Sequence, residues 1–114
     1  MNKSTRKLQF STKTKKKIMY RDRGECIYCS REYHMECTSP LLYEIKDIMH
    51  YVNKSAGGLG VEENGAVGCR YHHTLLDNGN KGLREEMLGI FREHLKSQYP
   101  EWEEEKLRYR KYNF

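Results

Sequence analysis

Two pairs of potential metal ligands constrain the fold of this chain more than any other feature. Cys26 and Cys29 form the first pair within GECIYCS, and Cys69 and His72 form the second within GCRYHH. Each pair has two intervening residues, which lets both side chains reach one tetrahedral ion while amides of the turn point toward the sulfurs. A redox role for Cys26 and Cys29 is disfavoured because no thioredoxin-like strand and helix surround them. We therefore predict one structural Zn²⁺ site that uses all four side chains.

Two other potential ligands, His34 and Cys37, lie between the pairs. Each is a rival zinc ligand, although isolated Cys and His residues are more often packed or solvated than bound to metal. The four cysteines could also form two disulfides. In a reducing compartment, a C-x-x-C pair and a Cys followed by histidines favour zinc instead.

Length and composition favour a single domain with a small core. The chain has 114 residues, of which 37% are hydrophobic and 32% are charged, so a bound ion would compensate for limited burial. The net charge of +5 suits a polyanionic partner such as nucleic acid, but does not separate DNA from RNA or an acidic membrane. We find no apolar run of about 18 residues and no secretion signal, and we expect a cytoplasmic protein without a membrane partner.

The order of predicted elements gives an α+β domain over residues 1–114. The segments are a basic flexible tail over 1–11, a helix over 12–22, a zinc knuckle and ββα core over 24–79, and a helical extension over 80–114. The tail is either a solvated segment or an arm that contacts phosphates. Ser11 or Thr12 can cap the first helix. A core-facing stripe is predicted by the helical spacing of Leu83, Met87, either Ile90 or Phe91, and Leu95.

The centre of the chain reads as strand, glycine-rich loop, strand and helix. A strand over residues 44–52 would place Ile48 and His50 on one face. A histidine in such a strand is usually a packed core residue, but it can also act as a general base because its pKa lies near neutral pH. The loop NKSAGGLG is longer than a tight hairpin turn, which suggests that something passes or binds there. Asn64 follows the loop and can bridge two backbone segments through its amide.

The helix predicted from Arg70 to about Asp77 carries two histidines with different directions. His72 and His73 are rotated by about 100 degrees from one another, so they can serve different ions. His73 and Asp77 are four residues apart and share a face, where an imidazole and a carboxylate could hold one divalent cation.

These motifs together resemble a known family. C-I-Y-C, H-Y-V-N-K-S-A-G-G and E-E-N-G-A-V-G-C-R-Y-H-H-T-L-L-D are similar to HNH endonucleases of the phage and bacterial type that contain a zinc knuckle. The resemblance implies a ββα-metal active site that hydrolyses DNA phosphodiester bonds with Mg²⁺ or Mn²⁺, with Ni²⁺ as a further candidate ion. It makes His50 the general base, Asn64 the residue that fixes the loop, and His73 a ligand of the catalytic ion. His72 stands where a fourth zinc-binding Cys is usual.

The chain departs from the family pattern at two positions. Met49 stands where the family often has an Asp or His that binds the catalytic ion, and a thioether is a poor ligand for Mg²⁺. Asp77 stands where the helix motif often has a His. Asp77 could supply the hard oxygen that Met49 lacks, and Asp47 is a second candidate for that role.

The resemblance implies a nuclease that nicks DNA or cuts it with weak sequence specificity, because phosphate contacts do not read bases. Its setting would be a bacterial host cell, with phage DNA processing or packaging as one role. Two alternatives remain open at this point. One is a zinc-stabilised module that binds DNA without cutting it, and the other is a structural role beside phage packaging proteins.

Overall fold

The structure is a computed structural model that describes residues 8–78 and 82–109. Its described elements form an α+β domain with four helices and one two-stranded sheet. In chain order they are α1 (Thr12–Arg21), α2 (Pro40–Glu44), β1 (Lys46–His50), β2 (Gly65–Cys69), α3 (Arg70–Asn78) and α4 (Arg84–Gln98). Short 3-10 turns cover Cys29–Arg31, Lys54–Ala56, Glu62–Asn64 and Glu104–Leu107.

The helix α1 starts and ends close to where the sequence predicts. The Ser11 hydroxyl accepts a hydrogen bond of 3.1 Å from the Thr14 amide, which satisfies one of the free donors at the helix start. Ile18 is the buried residue of the helix. After Arg21 the chain reverses through Arg23 and Gly24, whose φ angles are 58° and 66°. Gly24 adopts this left-handed conformation without the steric penalty of a side chain.

The strands β1 and β2 pair antiparallel, with Lys46 opposite Cys69 and His50 opposite Gly65. The two faces of the sheet contribute to different apolar clusters, as the predicted alternation requires. Met49 and Ala66 belong to the main core with α3 and α4. Val67 packs with Phe10 and Ile18, and Ile48 lies against this second cluster. The sheet thus separates the N-terminal helix from the main core.

β1 is shorter than the strand predicted over residues 44–52. Glu44 ends α2, and Tyr51 and Val52 lie beyond the paired residues. Both of their amides still find partners on Asn64. The Tyr51 amide donates to the Asn64 carbonyl at 2.9 Å, and the Val52 amide donates to the Asn64 side chain at 2.8 Å. The ladder therefore ends because an asparagine side chain replaces a strand partner.

The predicted apolar stripe of the C-terminal extension is buried. Met87, Phe91 and Leu95 are fully enclosed in the main core, and α4 ends two residues before Pro100. After Pro100, the described part of the predicted helical extension contains only the 3-10 turn Glu104–Leu107. Trp102 packs against the main core, and its indole N–H donates to the Glu63 carbonyl at 2.8 Å.

Parts of the predicted segments lie outside the described residues: 1–7 of the tail, 79–81 at the start of the C-terminal extension, and 110–114. Of the tail's described residues, Phe10 is buried in the second cluster. None of the helices in residues 8–78 and 82–109 is both long and apolar enough to span a bilayer.

Candidate metal centre and adjoining groove

Cys26, Cys29, Cys69 and His72 converge as predicted. Their ligand atoms all lie within 4.8 Å of one another. The Cys29 and Cys69 sulfurs are 3.7 Å apart, and His72 Nδ1 lies 3.6 Å from the Cys29 sulfur. Tetrahedral zinc with Zn–S near 2.3 Å and Zn–N near 2.0 Å gives sulfur–sulfur edges of about 3.8 Å and sulfur–nitrogen edges of about 3.5 Å. The four side chains therefore form a possible zinc site.

Backbone groups around the cluster orient its ligands. The Cys29 amide points at the Cys26 sulfur and the His72 amide points at the Cys69 sulfur, each at 3.4 Å. The Nε2–H of His72 donates to the Tyr33 carbonyl at 2.6 Å. Since a carbonyl only accepts, this bond fixes the tautomer that leaves Nδ1 free to bind an ion.

The protein alone already favours a thiolate at this site. Donation from the Cys69 thiol lowers the pKa of Cys26 to about 3, and the same bond raises the pKa of Cys69. Burial raises the pKa of Cys29 to about 11. One thiolate is thus shared among three sulfurs, whereas a bound cation would stabilise all of them as thiolates.

The two rival ligands have other partners. His34 Nδ1 donates to the Glu36 carboxylate at 2.7 Å. The Cys37 amide donates to the Tyr43 hydroxyl at 2.8 Å, and its thiol faces the Ser39 carbonyl. Neither side chain joins the four-residue cluster.

Asn64 is fully buried and bridges backbone segments through its amide. Its side-chain N–H groups donate to the Val52 and Leu59 carbonyls, and its oxygen accepts from the Val52 amide. The oxygen and the nitrogen of the Asn64 side-chain amide therefore both hold the residues at the two ends of the glycine-rich loop in place. The prediction that Asn64 joins two backbone segments is confirmed.

The glycine-rich loop accommodates the chain's own backbone. A Cβ at Gly58 would lie 1.7 Å from the Val52 carbonyl oxygen, and one at Gly60 would lie 2.1 Å from the Gln9 carbonyl oxygen. Gly58 also pairs with Arg108 in an isolated bridge. These close approaches explain why glycine is needed at both positions. The sequence predicted that something passes or binds at this loop, and the N-terminal residue Gln9 is one of the groups that pack against it.

His50 lies at the end of β1 under that N-terminal segment. Its Nε2–H donates to the Leu8 carbonyl at 2.9 Å, and its ring lies 4.1 Å from the Phe10 ring, tilted by 32°. The carbonyl contact fixes the neutral tautomer with its lone pair on Nδ1, and no described residue hydrogen bonds to that atom. Burial lowers the pKa of His50, the hydrogen bond with the Leu8 carbonyl raises it, and the charge of Lys54 lowers it further. The net lowering of the pKa favours the neutral imidazole.

His73 lies between two carboxylates. Its Nδ1 is 3.0 Å from an Asp47 oxygen and its Nε2 is 3.2 Å from an Asp77 oxygen. Arg70 grips Asp47 with two hydrogen bonds, of 2.8 and 3.0 Å, and these are the main reason why the pKa of Asp47 is lowered. Asp47 was a secondary candidate in the sequence, yet it approaches His73 as closely as Asp77 does.

Within the described residues, Cys26, Cys29, Cys69 and His72 are the only group of three or more potential ligands whose atoms converge. Asp47 and Asp77 lie at opposite nitrogens of His73, so these three residues do not form a second ready-made cluster. Met49 is fully buried, with its sulfur packed over Gly68, and does not reach the surface.

An open groove of about 670 Å³ exposes the carboxylate-flanked His73 to solvent. Its lining comes from α1, β1 and α3 and includes Lys15, Lys46, Asp47, Arg70, His73 and Asp77. Cations therefore surround the carboxylates and the imidazole. A second, more apolar hollow of about 610 Å³ beside Trp102 has no histidine or cysteine in its lining.

A buried ion network was not anticipated from the sequence. The Asp22 carboxylate accepts two bonds from Arg21, one from His94 at 2.8 Å and one from the Val67 amide at 3.0 Å. Although burial opposes ionisation, these bonds lower the pKa of Asp22 to about 2. The only signal in the sequence is an Arg-Asp pair after a helix, which does not reveal a partner 72 residues away.

Comparison with protein-family models, curated proteins and solved structures finds no match to this chain.

Proposed function

We propose that this protein is a metal-dependent HNH endonuclease that hydrolyses DNA phosphodiester bonds. The observation that carries the proposal is the hydrogen bonding of His50. An imidazole whose Nε2–H donates to the Leu8 carbonyl, and whose Nδ1 has no hydrogen-bond partner among the described residues, is arranged as a general base, and its lowered pKa favours the neutral form that can accept a proton. The order of strand, loop, strand and helix, with His50, Asn64 and His73 at the positions that the family resemblance assigns, supports the same reading.

His50 would take a proton from the attacking water through Nδ1. Its Nε2–H stays bonded to Leu8, so the positive charge that develops on the ring is partly stabilised by the carbonyl dipole. Asn64 acts indirectly, because it ties the residues after β1 to the start of β2 and so fixes the backbone that carries His50. Lys15, Lys46 and Arg70 lie along the groove where they can bind phosphate oxygens.

His73, Asp77 and Asp47 are the residues that would hold Mg²⁺ or Mn²⁺. An imidazole nitrogen and carboxylate oxygens suit such an ion. His73 can bind one ion through only one ring nitrogen, so it would share the ion with Asp47 on the Nδ1 side or with Asp77 on the Nε2 side. Such an ion would supply charge stabilisation at the scissile phosphate and the leaving oxygen. The four-residue Cys and His cluster would serve as the separate structural zinc site.

The deciding experiment is nicking of supercoiled plasmid with Mg²⁺, Mn²⁺ or Ni²⁺. The wild-type protein should relax the plasmid, and the His50→Ala variant should lose activity by about 10²-fold or more while keeping its zinc and its circular dichroism spectrum. The His34→Ala variant is the matched histidine control, because the partly exposed His34 side chain binds Glu36 and lies outside both the groove and the metal cluster. Absence of nicking by wild-type protein with every ion would refute the proposal.

A non-catalytic DNA-binding module is the second candidate. The burial of Met49 and the position of Asp47 and Asp77 on opposite sides of His73 favour it, because no second ligand cluster is preassembled. Duplex binding without nicking would support this module. A purely structural role beside phage packaging proteins would be supported by the absence of both binding and nicking.

A further inference from the structure

The exposed side of α1 is unusually basic for the start of a helix. Lys13, Lys15 and Lys16 are exposed, and the first turn contains no acidic residue. Cations near a helix N-terminus oppose the helix dipole and destabilise the helix. The pattern therefore does not stabilise α1, and a bound anion would explain it.

These lysines also lack charge partners in the part of the chain that the structure describes. Lys17 pairs with Glu62 at 3.8 Å, but no ion pair involves Lys13, Lys15 or Lys16 within residues 8–78 and 82–109. Unpaired surface cations can bind a polyanion without first breaking an internal ion pair. They are available for an external ligand.

Two surface depressions meet along α1. Lys15 and Met19 line the groove that contains His73, and Met19 also lines a neighbouring depression. That second depression is lined by Lys16, Met19, Tyr20, Arg21, Arg23 and Gln98. Tyr20 is 89% exposed, although a tyrosine normally gains stability from burying its ring. The surface next to the groove thus combines several cations with one exposed aromatic ring.

We propose that the α1 surface formed by Lys15, Lys16, Tyr20 and Arg23 binds the sugar–phosphate backbone of duplex DNA beside the groove. The inference rests on the proposed function, because this surface would bind the part of the DNA substrate that flanks the cleavage site. Lys15, Lys16 and Arg23 contact phosphates, and the Tyr20 ring packs against the sugar edge. Such contacts position the duplex over His73 without selecting a sequence.

The test measures duplex affinity by fluorescence anisotropy as a function of salt. It uses a duplex of about 20 base pairs and no added Mg²⁺ or Mn²⁺, and omits chelators so that zinc is retained. The double variant Lys15→Gln/Lys16→Gln removes two cations from the surface. The control Lys96→Gln/Arg108→Gln removes two exposed cations that lie outside α1 and the groove and form no ion pair within the described residues, so the net charge changes equally.

If both lysines contact phosphates, the slope of log K against log salt should fall in magnitude by about 1.8 in the α1 variant, because each phosphate contact contributes about 0.9. The control should retain most of the wild-type slope. Tyr20→Ala should weaken binding while leaving the slope unchanged, because the ring carries no charge. Equal slopes in the two double variants would overturn the proposed surface.

The plasmid assay separates this inference from the proposed function. If the wild-type protein does not nick DNA but the α1 variant binds DNA more weakly than the control, the binding surface is supported and the nuclease function is rejected. Nicking that depends on His50, with no difference in binding between the two double variants, would support the nuclease and reject the surface.

Discussion

The contact between the N-terminal segment and His50 can be broken by a single methyl group. The substitution Gly60→Ala places a Cβ 2.1 Å from the Gln9 carbonyl oxygen, whereas ordinary contacts of a Cβ begin at 3.4 Å. Both partners are backbone, so the segment has to move by about 1.3 Å, the difference between these distances. A similar shift at the adjacent Leu8 would extend its 2.9 Å contact with His50 beyond hydrogen-bond range.

The expected result is slower nicking and a changed pH dependence. Displacement of a catalytic group by about 1 Å can reduce the rate by about 10²-fold. Burial is the main cause of the lowered pKa of His50, so admission of water should raise this pKa. Loss of the Leu8 hydrogen bond lowers the same pKa, but burial is the larger effect, so the net change should be a rise. The general base proposed above must be neutral to act. Activity of the Gly60→Ala variant should therefore decline at a higher pH than wild-type activity as the solution is acidified.

The assay is single-turnover nicking of supercoiled plasmid from about pH 5 to 8, with zinc content checked at each pH. Gly89→Ala is the control, because a Cβ at this helical position meets no atom within 4 Å. It should leave both the rate and the pH profile unchanged. If Gly60→Ala retains the wild-type rate and acidic limb, the Leu8 carbonyl does not position His50.

Two predictions concern stability. Cys69→Ser should abolish zinc binding and reduce the thermal unfolding temperature, because Cys69 joins β2 to the cluster. The measurement is the zinc content of the purified variant, and full zinc occupancy would contradict the assignment of Cys69 as a ligand. Asp22→Asn should lower the free energy of unfolding in urea at pH 7 by about 3 kcal/mol, because Arg21 would lose its buried carboxylate. The lowered pKa of Asp22 makes its stabilisation complete above the ordinary carboxyl pKa and lost only as pH falls toward 2. The difference from wild type should therefore not shrink between about pH 7 and 5.

Local sequence patterns predicted the metal cluster and most helices. The two spaced pairs specified Cys26, Cys29, Cys69 and His72 because zinc imposes both ligand type and spacing. The Ser11 cap predicted the beginning of α1 for a similar local reason. These features depend on residues close in sequence, where side-chain chemistry and backbone geometry are directly coupled.

Contacts between distant segments could not be predicted from the sequence. The Leu8 carbonyl on His50 and the His94 contact with Asp22 join residues 42 and 72 positions apart. Every residue has a backbone carbonyl, so the sequence does not indicate that the Leu8 carbonyl contacts His50. An isolated histidine such as His94 likewise does not indicate which residue it will contact. The complete burial of Met49 was also not predicted. The alternation of a strand predicts which face of the sheet a side chain occupies, but not how completely other elements cover that face.

The adjacent residues His72 and His73 link the metal cluster to the groove. A helix rotates successive side chains by about 100 degrees, so one histidine enters the buried cluster while the other faces solvent between Asp47 and Asp77. An ion bound by Cys69 and His72 would fix the first turn of α3 relative to β2, and hence the direction of His73. The zinc site would therefore stabilise the fold and also set the geometry of the groove, although its ion would not contact the substrate.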